Sequence, residues 1–237
     1  MTTVPEVSVA ETVRWLHDEG LVRLAGVGGR APSPVIAYSV EVATGMVTAF
    51  PDAVAGPGTD VLTLAADDLP YPSGSPRRLV VVGVTASDAV LVLDLEVAQS
   101  LGIYGDRPEI TARAWVVQLL LDPQVSITTN CAAVAIAADK RCQHVFIPGG
   151  GTVMLVDDSE PPVSTVRLNP EAEGSNHLDV AQDRTADLYL GSRFWQLRRV
   201  LGIEDPTWAP LVEQLENPLG ESDSPFPPSA ADPEEQR

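Results

Sequence analysis

Apolar and polar residues follow two different periods along this chain, and the changes of period predict both helices and strands. Ser8 and Glu11 form an S-x-x-E capping box, which predicts a short helix that ends at Gly20. The next segment, GLVRLAGVGG, is apolar enough to follow as a strand. The segment PVIAYSVEVATGMVTAF (34–50) holds two β-rich runs about a central ATG, which predicts a hairpin.

The middle of the chain carries the longest apolar runs. RLVVVGVTASDAVLVLDLE (78–96) predicts a second hairpin, whose strands should be covered on both faces because they contain few polar residues. A short strand at Ser100–Tyr104, a turn at Gly105 and a helix over 109–121 follow, and Asp122-Pro123 ends that helix. CAAVAIAAD and QHVFI are further candidate strands, and TVMLVDD follows the PGGG turn.

Two apolar stripes at helical spacing predict two closing helices. One lies in ADLYLGSRFWQLRRVLG and the other in DPTWAPLVEQLE. Such stripes are typical of core packing, and the alternative is a docking face for a partner. The residues of this candidate interaction face are Leu190, Phe194, Leu197, Leu201, Trp208 and Leu211.

These elements predict an α/β fold with a mixed, hairpin-rich sheet and flanking helices. A segment rich in Pro, Gly, Ser and Asp over 51–78 suggests a boundary. We therefore expect an N-terminal α+β subdomain over 1–75 and an α/β domain with the closing helices over 76–216. Residues 217–237 contain five prolines and five acids against one basic residue, which predicts a disordered tail.

The composition restricts the classes of function. The net charge of −18 and the pI near 4.3 argue against binding to nucleic acid or to anionic membranes. The longest apolar runs are too short to span a bilayer and no signal peptide is visible, so we expect a cytoplasmic protein without membrane insertion.

Lys140 is the single lysine beside fourteen arginines, a bias typical of actinobacterial genomes. Cys131 and Cys142 fit reduced thiols better than a disulfide, although pairing across two strands stays open.

The segment GDRPEITA has the position of a phosphate-binding loop between a strand and a helix. A working loop reads G-x-x-x-x-G-K-[ST], because backbone N–H groups cradle the phosphates, the lysine neutralises them and the hydroxyl holds magnesium. Here Gly105 remains, but Ile110, Thr111 and Ala112 replace the second glycine, the lysine and the hydroxyl residue.

The residues inside this loop also oppose a phosphate. Asp106 and Glu109 place carboxylates where a triphosphate would lie, and Arg107 offsets one of the two charges. Pro108 removes one N–H donor. The sequence therefore predicts that ATP does not bind tightly at this loop.

The surrounding pattern, VVVGVTASDAVLVLDLEVAQSLGIYGD followed by ARAWVVQLLLDP, resembles the first ATPase segment of FtsK-type motors. That family includes the translocase of actinobacterial type VII secretion. A similar segment with a glycine-only loop occurs in actinobacterial proteins related to transcriptional activators. The resemblance covers about residues 78–123, and it implies a nucleotide fold that has lost its phosphate site.

Few other residues are grouped in a way that predicts chemistry. VMLVDD could be a remnant of the magnesium-binding strand of such motors, or an apolar strand that leads into an acidic turn. His17, His144 and His177 lack the spacing of a zinc site, so we expect no metal centre. Ser175, His177 and Asp179 lie together in GSNHLD, where a polar loop is a simpler interpretation than a catalytic triad.

The sequence thus predicts a non-catalytic protein-interaction or adaptor protein with a degenerate phosphate loop and no cofactor. Its acidic surface suggests a protein partner with a basic face. From the family resemblance we expect a role in an actinobacterial secretion or regulatory assembly. The alternatives are a magnesium-dependent hydrolase and a nucleotide or small-molecule sensor without turnover; their candidate residues are Asp94, Glu96, Asp157 and Asp158.

Overall fold

The computed structural model describes residues 7–52, 61–137 and 139–216. Their strands form one mixed sheet, so the α/β fold class with flanking helices is confirmed. The predicted tail at 217–237 lies outside the described residues.

The strands are β1 Val35–Glu41, β2 Val47–Pro51, β3 Leu62–Leu64, β4 Leu79–Thr85, β5 Ala89–Asp94, β6 Ser100–Tyr104, β7 Ser126–Thr129, β8 Cys142–His144, β9 Thr152–Asp157, β10 Ser164–Leu168, β11 Asn176–Val180, β12 Ala186–Leu190 and β13 Arg193–Val200.

Among the described residues, two α-helices precede β1, two lie between strands and one follows β13. They are α1 Val9–Trp15, α2 Leu21–Gly28, α3 Leu95–Ala98, α4 Pro108–Leu120 and α5 Asp205–Glu216. In the part of the chain that the structure describes, no helix has both the length and the apolar character needed to cross a membrane.

The N-terminal helix begins where the sequence predicts and continues further. The Ser8 Oγ accepts a hydrogen bond from the Glu11 N–H, and the Glu11 carboxylate accepts one from the Ser8 N–H, so the capping box forms. A π-helical stretch, Leu16–Gly20, joins α1 to α2. The prediction of a strand after Gly20 is therefore wrong, because the apolar residues of that segment have helical spacing and bury one face of α2.

The sheet has the order β3-β2-β1-β5-β4-β13-β12-β11-β6-β10-β9-β7-β8. Most neighbours are antiparallel, but β6 lies between two parallel neighbours, β11 and β10. The carboxyl ends of these three strands therefore meet at one edge of the sheet. Strands from both sides of the predicted boundary at 75/76 belong to this sheet, since β1 pairs with β5.

The central hairpin separates two hydrophobic cores. Alternate residues of β4 and β5 are buried on opposite faces: Val80 and Leu91 pack in the core with α4, and Val81 and Val90 pack in the core with α2. This confirms that both faces of the hairpin are covered. Trp115 of α4 is fully buried in the larger core.

The predicted helix over ADLYLGSRFWQLRRVLG is wrong, because this segment forms the antiparallel hairpin of β12 and β13. Its apolar residues fit a helical period and a strand period about equally well. Gly191 has a φ of +59°, so it makes the turn that breaks a helix.

The second closing helix is present as α5. CAAVAIAAD is not a strand in its described residues, where turns bury Val134 and Ile136.

Candidate functional site

The predicted strand, loop and helix around Gly105 are present as β6, a three-residue loop and α4. Gly105 has a φ of +143°, and a Cβ atom on it would lie 2.6 Å from the Val180 carbonyl oxygen. Its N–H donates to Asn169 Oδ1 at 3.1 Å, and its C=O accepts from Asn169 Nδ2 at 2.9 Å. The glycine is therefore required by close packing against β11, and its N–H already has a partner.

The positions that would hold a phosphate lie inside α4. Ile110, Thr111 and Ala112 belong to the first two turns of this helix and are all buried. Because α4 begins at Pro108, only three residues separate it from β6. A loop of this length cannot wrap a phosphate, and a side chain at the lysine position is buried in the protein interior.

The charged residues of the loop contact other parts of the protein. The Asp106 carboxylate accepts a hydrogen bond from the Gln182 side chain. Arg107 Nε donates to the Glu109 carboxylate at 2.8 Å. Arg107 Nη2 donates to both carboxylate oxygens of Asp205, at 2.9 Å and 2.8 Å. Asp205 also accepts from Arg113 at 2.6 Å, so α5 is held beside the N-terminus of α4. The one cation of the loop is thus committed to protein carboxylates.

Two clefts lie beside this loop, at the carboxyl ends of β6 and β11. One has a volume of about 380 Å³ and is lined by residues that include Tyr104, Asp179 and Asp187. The other, of about 270 Å³, includes Arg184 and Glu204 in its lining. Among the described residues, the first cleft is lined by two carboxylates and no cation, which makes it a poor environment for a triphosphate without a metal ion, whereas in the second Arg107 and Arg184 balance Asp106 and Glu204.

The first two candidate carboxylates of a hydrolase have structural roles at α3. Asp94 caps this helix, since its Oδ1 accepts from the N–H groups of Glu96 at 2.9 Å and Val97 at 3.2 Å. Burial raises the pKa of Asp94 to about 6. Glu96 lies 3.5 Å from the guanidinium of Arg77.

The other two carboxylates lie at the end of β9 and directly after it. Asp157 accepts from the Ser159 N–H at 2.8 Å, as in a turn. Asp158 forms an ion pair with Arg78, which is fully buried and also donates to the carbonyl oxygen atoms of Glu160 and Pro162. Burial would raise the pKa of Asp158, but the hydrogen bonds that it accepts, from Arg78 first, hold the pKa below its ordinary value. Each of the four predicted carboxylates therefore has a protein partner.

The predicted interaction face is mostly interior. Leu190, Leu197 and Trp208 are buried, and Leu201 and Leu211 are half-buried against the larger core. Phe194 is the exception, because 53% of it is exposed. These residues do not form one helical face, since they lie on a hairpin, a following loop and α5.

An exposed apolar segment that the sequence analysis did not select follows β8. In the described part of the chain, β8 is the last strand at its end of the sheet and pairs with β7. Phe146, two residues after β8, is 89% exposed, and Val145 is 37% exposed. The signal in the sequence is the segment QHVFI, whose apolar residues predict a strand, whereas β8 ends at His144 and leaves them on the surface.

One group of potential metal ligands is only partly evident from the sequence. Among the described residues, the single set of three or more His, Cys, Asp or Glu with converging ligand atoms is Glu173, His177 and Asp179. The segment GSNHLD contains His177 and Asp179, but Glu173 precedes it and the three residues match none of the familiar zinc spacings. Comparison of the chain with protein-family models, with curated proteins and with solved structures finds no match in any of the three.

Proposed function

We propose that this chain is a non-catalytic protein-binding module built on a nucleotide-type α/β unit that has no phosphate site. The observation that carries the proposal is the packing at the β6–α4 loop. Thr111 and Ala112 are buried where a lysine and a hydroxyl residue would be needed, and Arg107 is paired with Asp205. The resemblance of residues 78–123 to FtsK-type segments supports a place in an actinobacterial secretion or regulatory assembly.

The edge of the sheet at β8 supports the choice of protein binding over other non-catalytic roles. The Arg141 C=O accepts a hydrogen bond from β7, and the Val145 N–H donates one to β7. Because alternate residues of a strand bond to the same neighbour, the N–H and C=O of His144 point away from β7. Unpaired backbone groups on an edge strand are a template for an added strand. Phe146 would then cover an apolar side chain of the partner.

The net charge of the whole chain favours one kind of partner, although Lys140 and Arg141 lie directly before β8. With a net charge of −18, the protein attracts segments rich in lysine and arginine and repels acidic ones. We therefore propose that the partner presents an extended, basic segment with at least one large apolar residue.

The alternative of a magnesium-dependent hydrolase or a nucleotide sensor has less support. Asp94, Glu96, Asp157 and Asp158 already contact a helix end, an arginine, a turn and a second arginine. Binding of magnesium would have to replace these contacts.

Thermal unfolding with ATP, GTP and Mg²⁺ tests the first half of the proposal, and we expect an unchanged Tm. A ligand at a hundred times its Kd stabilises the folded state by about 2.7 kcal/mol, so even modest binding is measurable. A rise in Tm with a nucleotide that disappears in Asp157→Asn would support the alternative instead.

Chemical crosslinking in the native host, followed by purification of this chain, tests the binding edge. We expect the main crosslinked protein to be lost in Phe146→Asp and in His144→Pro, which removes an outward N–H from the edge strand. Phe194→Asp is the matched control, because it changes an exposed phenylalanine on another strand. Equal recovery of the partner with all three variants would contradict binding at β8.

A further inference from the structure

Three side chains with metal-ligating atoms converge near the carboxyl end of β6. His177 and Asp179 are two residues apart on β11 and therefore lie on the same face of the sheet. Glu173 precedes β11. His177 Nε2 lies 3.1 Å from Glu173 Oε1 and 3.8 Å from Asp179 Oδ2, and all three ligand atoms lie within 4.8 Å of one another.

The imidazole ring of His177 is held in one orientation. His177 is buried, with 8% of the residue exposed. Its ring stacks on Tyr189 with a centroid distance of 4.5 Å and meets the Tyr104 ring edge-on at a centroid distance of 5.9 Å. His177 Nδ1 lies 2.8 Å from the Gly174 carbonyl oxygen, which can only accept. Nδ1 therefore carries a proton, and Nε2 is directed at the two carboxylates.

A positive charge between these groups would stabilise the arrangement. A neutral imidazole with its proton on Nδ1 would point the Nε2 lone pair at two carboxylates, which is repulsive. Asp179 also lies directly opposite Asp187 on β12, and like charges at opposed positions of an antiparallel pair are destabilising. Either a proton on Nε2 or a metal cation would resolve the repulsion, and a dication offsets more of the negative charge.

We propose that Glu173, His177 and Asp179 bind one divalent transition metal ion of the zinc class. Ligand atoms that are each about 2.1 Å from a metal ion lie about 3.0–4.2 Å apart, and the two distances from His177 Nε2 fall in this range. Glu173 is 71% exposed at its side chain, so it can rotate to bring its oxygen closer to Asp179.

The chemistry of the donors selects the class of ion. An imidazole nitrogen favours Zn²⁺ and its neighbours over Mg²⁺ and Ca²⁺, which prefer oxygen alone. Three protein ligands leave at least one coordination position open. Asp179 and Tyr104 line the cleft of about 380 Å³, so a water or a small anionic ligand could reach that position. This site is independent of the protein-binding role proposed above.

Calorimetric titration of the full chain, freed of metal with a chelator, tests the site with Zn²⁺ as the probe. We expect one equivalent to bind, and Mg²⁺ and Ca²⁺ to bind much more weakly. Glu173→Gln and Asp179→Asn should each weaken Zn²⁺ binding about tenfold or more, and His177→Gln should abolish it. Co²⁺ bound at the site should give visible absorption bands that are absent in His177→Gln and that need a higher Co²⁺ concentration in Glu173→Gln.

Two control variants distinguish coordination from attraction to an acidic surface. Asp187→Asn removes a neighbouring charge without removing a proposed ligand, and His144→Gln removes an exposed histidine elsewhere; both should bind Zn²⁺ nearly as tightly as the wild type. Glu173 is on the surface, so Glu173→Gln remains informative even if His177→Gln disturbs the packing on Tyr189. Unsaturable Zn²⁺ binding, or equal weakening by Asp187→Asn and Glu173→Gln, would overturn the proposal.

Discussion

Arg78 and Asp158 form an ion pair inside the protein, between the residue that precedes β4 and the loop that follows β9. The Arg78 side chain is fully buried, and 7% of the Asp158 side chain is exposed. Arg78 also donates to Ser164 Oγ at 3.0 Å, and Ser164 Oγ donates to the Leu95 carbonyl oxygen at 2.7 Å. One buried cation thus connects the start of β4 and α3 with β10, which lies far along the chain from both.

Arg78→Met should lower the free energy of unfolding by about 3–5 kcal/mol, because it leaves the Asp158 carboxylate buried without its cation. Urea unfolding followed by circular dichroism measures this loss. Arg77→Met is the matched control: Arg77 is the preceding residue, its side chain is 49% exposed, and its surface ion pairs contribute at most about 1 kcal/mol. Equal losses in the two variants would contradict a special role for the buried pair.

Asp94 should make the protein less stable as the pH rises from about 4 to about 6. Its folded pKa, about 6, lies above the ordinary value of 3.8, so the folded state holds this proton more tightly than the unfolded state. The stabilisation is fully present below the unfolded pKa and is lost as the pH rises through the folded pKa. Asp94→Asn should therefore be more stable than the wild type at pH 8, by up to about 3 kcal/mol.

The comparison between the two proteins at several pH values isolates this effect, since every other titrating group is shared. Asparagine also caps helices well, so the hydrogen bonds to the Glu96 and Val97 N–H groups can be kept. The stability difference should grow between pH 4 and pH 7 and then become constant. A difference that is independent of pH would show that Asp94 does not titrate in this window.

The sequence predicted those elements whose pattern is local. The hairpin of β4 and β5 was predictable because its apolar runs are long and interrupted once, and the start of α1 because Ser8 and Glu11 form a capping box within four residues. The hairpin of β12 and β13 was missed, since Leu190, Phe194 and Leu197 fit a helical spacing. Only the turn at Gly191 excludes a helix over this segment. Local spacing was ambiguous there, and pairing with neighbouring strands decided the structure.

The candidate site was less predictable for the same reason. Loss of the phosphate-binding residues could be seen in sequence, but the partners that close the loop could not. Asn169 lies 64 positions from Gly105, and Asp205 lies 98 positions from Arg107. The first contact depends on the order of strands, which brings β10 beside β6, and the second depends on the position of α5 after β13; no local pattern specifies either.

Gly105→Ala should lower the free energy of unfolding by about 2–4 kcal/mol, because its Cβ atom would lie 2.6 Å from the Val180 carbonyl oxygen and its φ is unfavourable. Gly150→Ala is the control, since Gly150 also has a positive φ, +77°, but no atom within 4 Å of a Cβ; it should lose about 1–2 kcal/mol. Urea unfolding measures both. Similar losses would mean that backbone strain alone, without the contact to β11, explains the need for glycine at 105.

The two cysteines should differ in their reactivity towards iodoacetamide, which modifies the thiolate. Both thiols are free, Cys142 is buried and Cys131 is half-buried. Burial raises the pKa of Cys142, so its thiolate is both scarce and inaccessible in the folded protein. Mass spectrometry of the native protein should therefore find label on Cys131 and little on Cys142. In Cys131→Ser, the native protein should take up little label. In urea both should react at similar rates. Rapid labelling of Cys142 in the native protein would require the segment between β7 and β8 to open, because Cys142 packs in the same core as Val134 and Ile136.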